Sequence, residues 1–312
     1  MEQQNRTVPV EMLNRLNEKE IARLVDSSEA AFHQRIAQAA DEVANNRGKY
    51  SLVMISGPTG SAKTSTAGLV AQALTKAGVD NVTVNLDDFY LNRNQMAVLE
   101  DGSLDLESVE CLDIPLIKRC FFNLLNYHRA ILPIFDFASG TRSATPRQAE
   151  LKKGGVLVVE GIHALNPQIA DDNYGGRALK LYVAPAMEYT ACGNTLIDTN
   201  DLRLLRRMPR DAVSRDSSPD KVLRIWKNVL RSEPEKVLPY RMLADRWIDT
   251  SFEYELMLYA AYVRPMLENS LRQGSIYEKK TRELYDKLSC CTTSMSIDQV
   301  PPGSIMREFI IT

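Results

Sequence analysis

The residues best placed to do chemistry close the run Gly57-Pro58-Thr59-Gly60-Ser61-Ala62-Lys63-Thr64-Ser65. The apolar stretch Leu52-Val53-Met54-Ile55 precedes it, and Ala67 to Leu74 continues it with helical apolar spacing. A buried strand, a loop of small residues and Lys-Thr at a helix start is the order a phosphate-binding loop needs. Backbone N–H groups of the loop and the helix N-terminus point at phosphate oxygens, and the helix dipole favours their charge. Lys63 can reach the β- and γ-phosphates, and the Thr64 hydroxyl can ligate Mg²⁺. Ala62 stands where the usual pattern has glycine. Without that glycine the pattern arises by chance in roughly 15% of chains this long, so its context carries the reading.

Two further strand ends carry acids. Val82 to Leu86 stops at Asp87-Asp88-Phe89-Tyr90, and Val156 to Val159 stops at Glu160-Gly161-Ile162-His163. In doubly wound sheets ligands gather at the carboxyl ends of the strands. Asp87 could accept the proton of an attacking hydroxyl, and Glu160 could hold Mg²⁺ directly or through water. Taken singly, Asp87-Asp88 is also an ordinary turn or helix-cap pair and Glu160-Gly161 an ordinary strand-end turn. Arg203, Arg206, Arg207 and Arg210 recur at helical spacing, with Arg215 beyond. Such a face can close as a lid on transferring phosphates. A solvated basic helix is the plainer alternative. His163 follows a strand end and could face substrate, whereas His33 and His128 sit in or at helices.

These groups need a scaffold, and 312 residues with 44% hydrophobic and 25% charged residues supply a large core. A net charge of −2 argues against nucleic acid as the main partner. The five cysteines show no CxxC spacing, which points to reduced thiols and a cytoplasmic setting. No secretory signal and no apolar run of membrane-spanning length are present.

The periodicity predicts a loose tail over residues 1–8 and two helices over 9–47, the second capped by Ser27-Ser28-Glu29. It predicts a strand at 51–56, a helix at 62–77 ended by Gly78, and a strand at 82–86. A mostly loop segment follows over 91–112, turning at Gly102-Ser103. Beyond it come a helix at 113–127, an extended Leu132–Phe137 and strands at 156–159 and 179–183. The rest predicts charge-rich helix from 201 to about 240, a strand at 246–249, a helix over 253–270 and a polar end. Alternating strands and helices predict an α/β fold with a mostly parallel sheet flanked by helices. We expect an N-terminal helical extension over 1–48 and a P-loop domain over 49–312, with an Arg-rich helical lid at about 201–217.

The chain resembles the uridine kinase and phosphoribulokinase group of P-loop kinases, and bacterial uridine kinase-like nucleoside kinases in particular. The resemblance runs from about residue 20 to the end. Beyond the loop its markers are Leu86–Tyr90, Asp105–Ser108, Pro133–Phe137, Val159–Pro167, Arg206–Asp211 and the tail Val300–Ile310. The tail match implies that the chain ends at its natural terminus, and residues 1–50 are too short for the further N-terminal domain some relatives carry.

The resemblance implies an ATP- and Mg²⁺-dependent kinase acting on a nucleoside 5′-hydroxyl. Asp87 matches the general base, Tyr90 the acceptor pocket and Glu107 the group that binds ribose hydroxyls. Phe135 and Phe137 match the segment packed on the base, Glu160 the acid near Mg²⁺, and Arg206, Arg207 and Arg210 the lid. Asp88, Arg142 and His163 complete the candidate substrate-binding set. Gly140 falls where pyrimidine-specific relatives have a base-reading histidine, which leaves the nucleobase open. Helix-compatible angles at position 62 would set the methyl beside the phosphates, so Ala62 is expected to be tolerated. A kinase for another small alcohol, such as a sugar phosphate or vitamin, and a catalytically impaired nucleotide-binding regulator are the rivals. Homo-oligomer formation is left open.

Overall fold

The computed structural model describes residues 5–98, 102, 104–170, 174 and 177–310. Its elements run β1 (Arg6–Pro9), α1 (Val10–Leu13), α2 (Glu18–Asn45), β2 (Tyr50–Ser56), α3 (Lys63–Lys76) and β3 (Asn81–Asn85). After a stretch of short turns come α4 (Ile114–Tyr127), β4 (Arg129–Leu132), β5 (Phe135–Asp136), β6 (Thr141–Arg142), β7 (Arg147–Glu150) and β8 (Val156–Glu160). Then follow β9 (Arg177–Ala184), β10 (Met187–Ala191), β11 (Asn194–Ile197), α5 (Thr199–Arg215) and α6 (Pro219–Lys236). The chain closes with β12 (Arg246–Asp249), α7 (Glu255–Tyr262), α8 (Arg264–Arg272) and α9 (Glu278–Ser289).

Five strands form a parallel sheet in the order β12-β9-β2-β8-β3. The β2 strand is buried on both faces, so its apolar run is continuous, yet alternation still sorts it. Val53 and Ile55 enter the core beneath α2, α3 and α5, while Leu52 and Met54 enter the one beneath α4. In β8 the same rule sends Val156 and Val158 one way and Leu157 and Val159 the other. All five strands are parallel, so their carboxyl ends share one edge, and the loops after β2, β3 and β8 meet there. This is the α/β fold expected of a P-loop protein.

Several expectations change. Residues 6–9 are a strand, not a tail: β1 pairs in parallel with β10, and Arg6 binds the buried Asp249 at 2.8 Å. The partner lies some 180 residues away in sequence, so no local pattern announces it. Residues 18–45 are one helix, whose real cap is Asn17 with Glu20 in a capping box. Ser27 instead donates to the carbonyl of Leu24 inside the helix, and Glu29 is buried against Tyr254. The helix expected over 253–270 breaks into α7 and α8 just before Pro265, whose ring cannot continue the hydrogen-bond ladder. The polar end contains α9, which buries Thr281, Leu284 and Leu288. The Gly102-Ser103 turn falls partly outside the described residues.

The α2 helix is fastened to the sheet through Phe32, which is fully buried and meets Phe252 edge-on at 5.4 Å. Phe252 lies just beyond β12. We therefore expect Phe32→Ala to cost about 3–5 kcal/mol in urea unfolding, the range for a large buried aromatic. A loss under about 1 kcal/mol would mean α2 contributes little to the folded core.

Candidate active site

The loop between β2 and α3 carries Gly57 to Ala62, with Lys63, Thr64 and Ser65 opening the helix. Gly57 lies so close to β9 that a Cβ there would fall 2.0 Å from the Val183 carbonyl oxygen. Gly60 has φ +80°, a left-handed conformation that suits glycine. Ala62 has φ 65° and ψ 34°, so it too is left-handed. This corrects the expectation of helix-compatible angles: the position keeps the backbone of the missing glycine and places a buried methyl on it. Lys63 Nζ donates to the Pro58 carbonyl at 3.1 Å, and Thr64 Oγ1 donates to Glu160 Oε1 at 3.0 Å. Ser65 Oγ donates to Glu308 at 2.6 Å.

Asp87 sits in the short turn after β3, its N–H held by Asn85 Oδ1 at 2.8 Å. Burial pushes its carboxyl above the ordinary range, opposed by Lys63 and reinforced by Asp88. Burial also carries Glu160 to about 7, with Asp87 adding to the rise. The Lys63 amine is lowered by burial and raised again by Glu160, Asp87 and Glu308. Its close partner is thus the Pro58 carbonyl, and the carboxyls act on it as nearby charges. Thr64 and Glu160 offer oxygen donors of the kind Mg²⁺ takes. Among the described residues no three His, Cys, Asp or Glu side chains converge as a self-contained metal site, so a bound Mg²⁺ would complete its shell from phosphate oxygens and water.

Residues 52–248, more than half of the chain, match the profile of the Phosphoribulokinase / Uridine kinase family. The chain belongs to this family. The uridine kinase of Bacillus pumilus (strain SAFR-032) is 30% identical over 186 residues, 59% of this chain and 79% of that one. The uridine kinase of Saccharomyces cerevisiae is 26% identical over 187 residues, 59% of this chain and 34% of its own. Among solved structures, a D-glycerate 3-kinase from Cryptococcus neoformans var. grubii superposes with a TM-score of 0.39 at 18% identity, covering 84% of this chain and 88% of that one.

Glu107 and Arg207 line a cavity of about 850 Å³ between the 104–107 segment and α6. Arg93, Arg215, Arg231 and Lys236 line it too. Glu107 Oε2 has no protein partner, and burial lifts its carboxyl to about 7. His163 is buried with both ring nitrogens unpartnered, and burial lowers it to about 4. The Tyr90 hydroxyl donates to the Leu106 carbonyl at 2.9 Å, and its ring packs against Phe135 and Phe137. Phe135 is buried and Phe137 half exposed. Asp88 accepts the Phe135 N–H at 3.3 Å and so holds the aromatic segment.

Two assignments are corrected. Arg142 is not free to bind substrate: its guanidinium donates to Asp113 and to the carbonyls of Phe89 and Tyr90, pinning the turn behind Asp87. Arg206 is not a lid residue. It is fully buried, with both Glu255 oxygens on its guanidinium. Helical spacing put four arginines on one face, but α5 is buried through most of its length, so its N-terminal part is core. Arg207 and Arg210 meet at Asp211, and Arg210 also reaches Glu308 at 3.6 Å. Glu308 belongs to the tail, whose sequence suggested a resemblance but no role. Arg93 and Arg231 come from a turn and an exposed helix face, with no sequence signal.

Two outcomes follow from this geometry. Left-handed backbone is costly for alanine, so Ala62→Gly should stabilise the protein by about 1 kcal/mol in urea unfolding. Calorimetry should show ATP binding to both forms; binding by the glycine form alone would favour the regulatory reading. Glu107 keeps its proton up to about pH 7 when folded, against 4.5 as its ordinary value. The folded state thus holds more protons in that window, and this contribution to stability is lost as pH rises through about 7. Glu107→Gln should match the wild-type melting temperature near pH 5 and exceed it near pH 8. The same difference at both pH values would show that Glu107 does not titrate there.

Proposed function

We propose that this chain transfers the γ-phosphoryl group of ATP, with Mg²⁺, to the 5′-hydroxyl of a nucleoside. The observation that carries the reading is the meeting of Lys63, Thr64, Asp87 and Glu160 at one sheet edge around one loop. The identity to uridine kinases supports the nucleoside.

In this reading the N–H groups of the loop and the α3 N-terminus take the phosphates, and Lys63 leaves the Pro58 carbonyl for the β- and γ-oxygens. Thr64 and Glu160 would hold Mg²⁺, which supplies charge neutralisation on the phosphates when bound. Asp87 accepts the proton of the acceptor hydroxyl as its oxygen attacks the γ-phosphorus. The bond from phosphorus to the β–γ bridging oxygen breaks, and ADP leaves. Arg207 and Arg210 offset the charge that develops on the transferring group. Most of the catalysis in such a reaction is positioning and electrostatics.

A second reading has its own observation. Arg93, Arg231 and Lys236 line the same cavity as Glu107; Lys236 pairs with Asp105 and Arg93 donates to the Phe137 carbonyl, which leaves Arg231 and the remaining donors of Arg93 for an anion. A neutral nucleoside has no need of such cations, whereas an alcohol bearing a phosphate or carboxylate does.

The deciding experiment is incubation of the pure protein with Mg-ATP and a panel of nucleosides, sugar phosphates and hydroxy acids, read by product mass. A nucleoside monophosphate supports the first reading. A product from an anionic alcohol alone transfers the assignment to the second, and no phosphorylated product defeats both. Asp87→Asn should lower kcat by at least about 10²-fold with ATP affinity nearly intact, the worth of a general base. An equal loss of ATP affinity would reassign Asp87 to metal binding. Lys63→Ala should abolish turnover and weaken ATP binding; unchanged kinetics would remove the loop from the phosphate site.

A further inference from the structure

Backbone groups of a loop that cradles phosphate have a polarity. If the N–H groups face the ligand, the carbonyls must face the protein, where they need donors. Three consecutive carbonyls of this loop, those of Pro58, Thr59 and Gly60, each accept a hydrogen bond from a cationic side chain. Lys63 supplies the first. The other two come from α5: Arg203 Nη1 reaches the Thr59 oxygen at 3.1 Å, and Arg206 Nη1 reaches the Gly60 oxygen at 3.3 Å.

Both arginines are buried, and every remaining bond aims them at the loop. Arg203 forms a two-pronged pair with Glu233 of α6 at 2.6 and 2.8 Å and lies over the Trp226 ring. Its Nη2 also donates to Asn200. Arg206 forms the same kind of pair with Glu255 of α7 at 2.7 and 3.0 Å, gives its remaining donors to Thr250, and lies against Phe309 of the tail. Each of the five guanidinium N–H groups of Arg206 has an acceptor. Apolar residues of similar volume often replace a buried ion pair without loss of stability. Stability therefore does not account for two such pairs behind one loop. What an apolar residue could not do is bond the loop carbonyls that face the protein.

We infer that Arg203 and Arg206, each fixed by its buried glutamate, are positioning residues that hold the 57–62 loop open for the phosphates of the donor. They act from behind the loop and touch no phosphate themselves. The inference rests on residues 57–65 being the donor site. It assigns to these arginines a role different from a closing lid: their positions are set before the nucleotide arrives, so less ordering remains to oppose its binding. The glutamates place the two ends of the brace on α6 and α7, and α6 is also a wall of the cavity that Glu107 lines.

The test uses the full chain, with ADP and inorganic pyrophosphate as calorimetric probes in the presence of Mg²⁺. Pyrophosphate isolates the loop from any contact with base or ribose. Arg203→Lys keeps the charge but cannot serve Glu233 and Thr59 together. It should bind both probes about tenfold or more weakly, the worth of a lost charged hydrogen bond. The KM for ATP should rise with the loss, while the KM for the acceptor at saturating ATP stays put. The double variant R203M/E233L replaces the pair by apolar side chains. We expect it to fold, with a melting temperature close to wild type, and to lose probe affinity similarly. Wild-type probe affinity in either folded variant would overturn the brace. If the double variant does not fold, Arg203→Lys alone decides. Failure of the wild-type protein to bind either probe would instead defeat the donor-site reading.

Discussion

The structure depends on the polarity of one short backbone segment. A loop that turns its N–H groups toward an anion leaves a row of carbonyls on its other side, inside the protein and away from water. Unbonded, each would carry the cost of a buried polar group. Here that row meets Lys63, Arg203 and Arg206. Burying two guanidinium groups for this purpose requires buried carboxylates, and Glu233 and Glu255 provide them. The packing of α5, α6 and α7 around the sheet edge is thus tied to the shape of a loop six residues long.

The front of the loop has the opposite imbalance. Asp87, Glu160 and Glu308 surround the lysine, and burial raises the first two carboxyls. In the free protein Asp87 and Glu160 keep their protons more readily than they would in water. In the proposed function a divalent cation arriving with a nucleotide would change that balance, because metal and proton compete for the same oxygens. In the proposed reaction, an Asp87 carboxyl held above its ordinary range would be a stronger base once ionised.

The aromatic wall beside Asp87 is built by side chains that hold backbone. Arg142, Asp88 and Tyr90 each bond a carbonyl or N–H of a neighbouring segment, so the aromatic wall and the turn bearing Asp87 are set as one unit. Gly140 has φ +70°, and a Cβ added there would meet the Arg93 side chain at 2.3 Å. A side chain at this position would have to displace the arginine that lies over it.

Much of this was legible in the chain itself. The apolar runs of β2 and β8, the small residues before Lys63 and the acids after β3 and β8 are local patterns, and a parallel sheet necessarily brings its strand ends to one edge. Apolar spacing found α3 and α4 and marked 201 to about 240 as helical, without the break at Asp216–Ser218 that separates α5 from α6. What sequence could not settle were choices made between distant segments. The β1 strand exists because β10 offers it a ladder, and Pro265 splits a helix whose apolar pattern runs on. Helical spacing aligned Arg203, Arg206, Arg207 and Arg210 on one face. It could not say that core covers the first two, because burial belongs to the neighbours α6 and α7 rather than to α5. The angle at Ala62 was likewise hidden. An alanine votes locally for helix, and only the closure of the loop between β2 and α3 forces it left-handed.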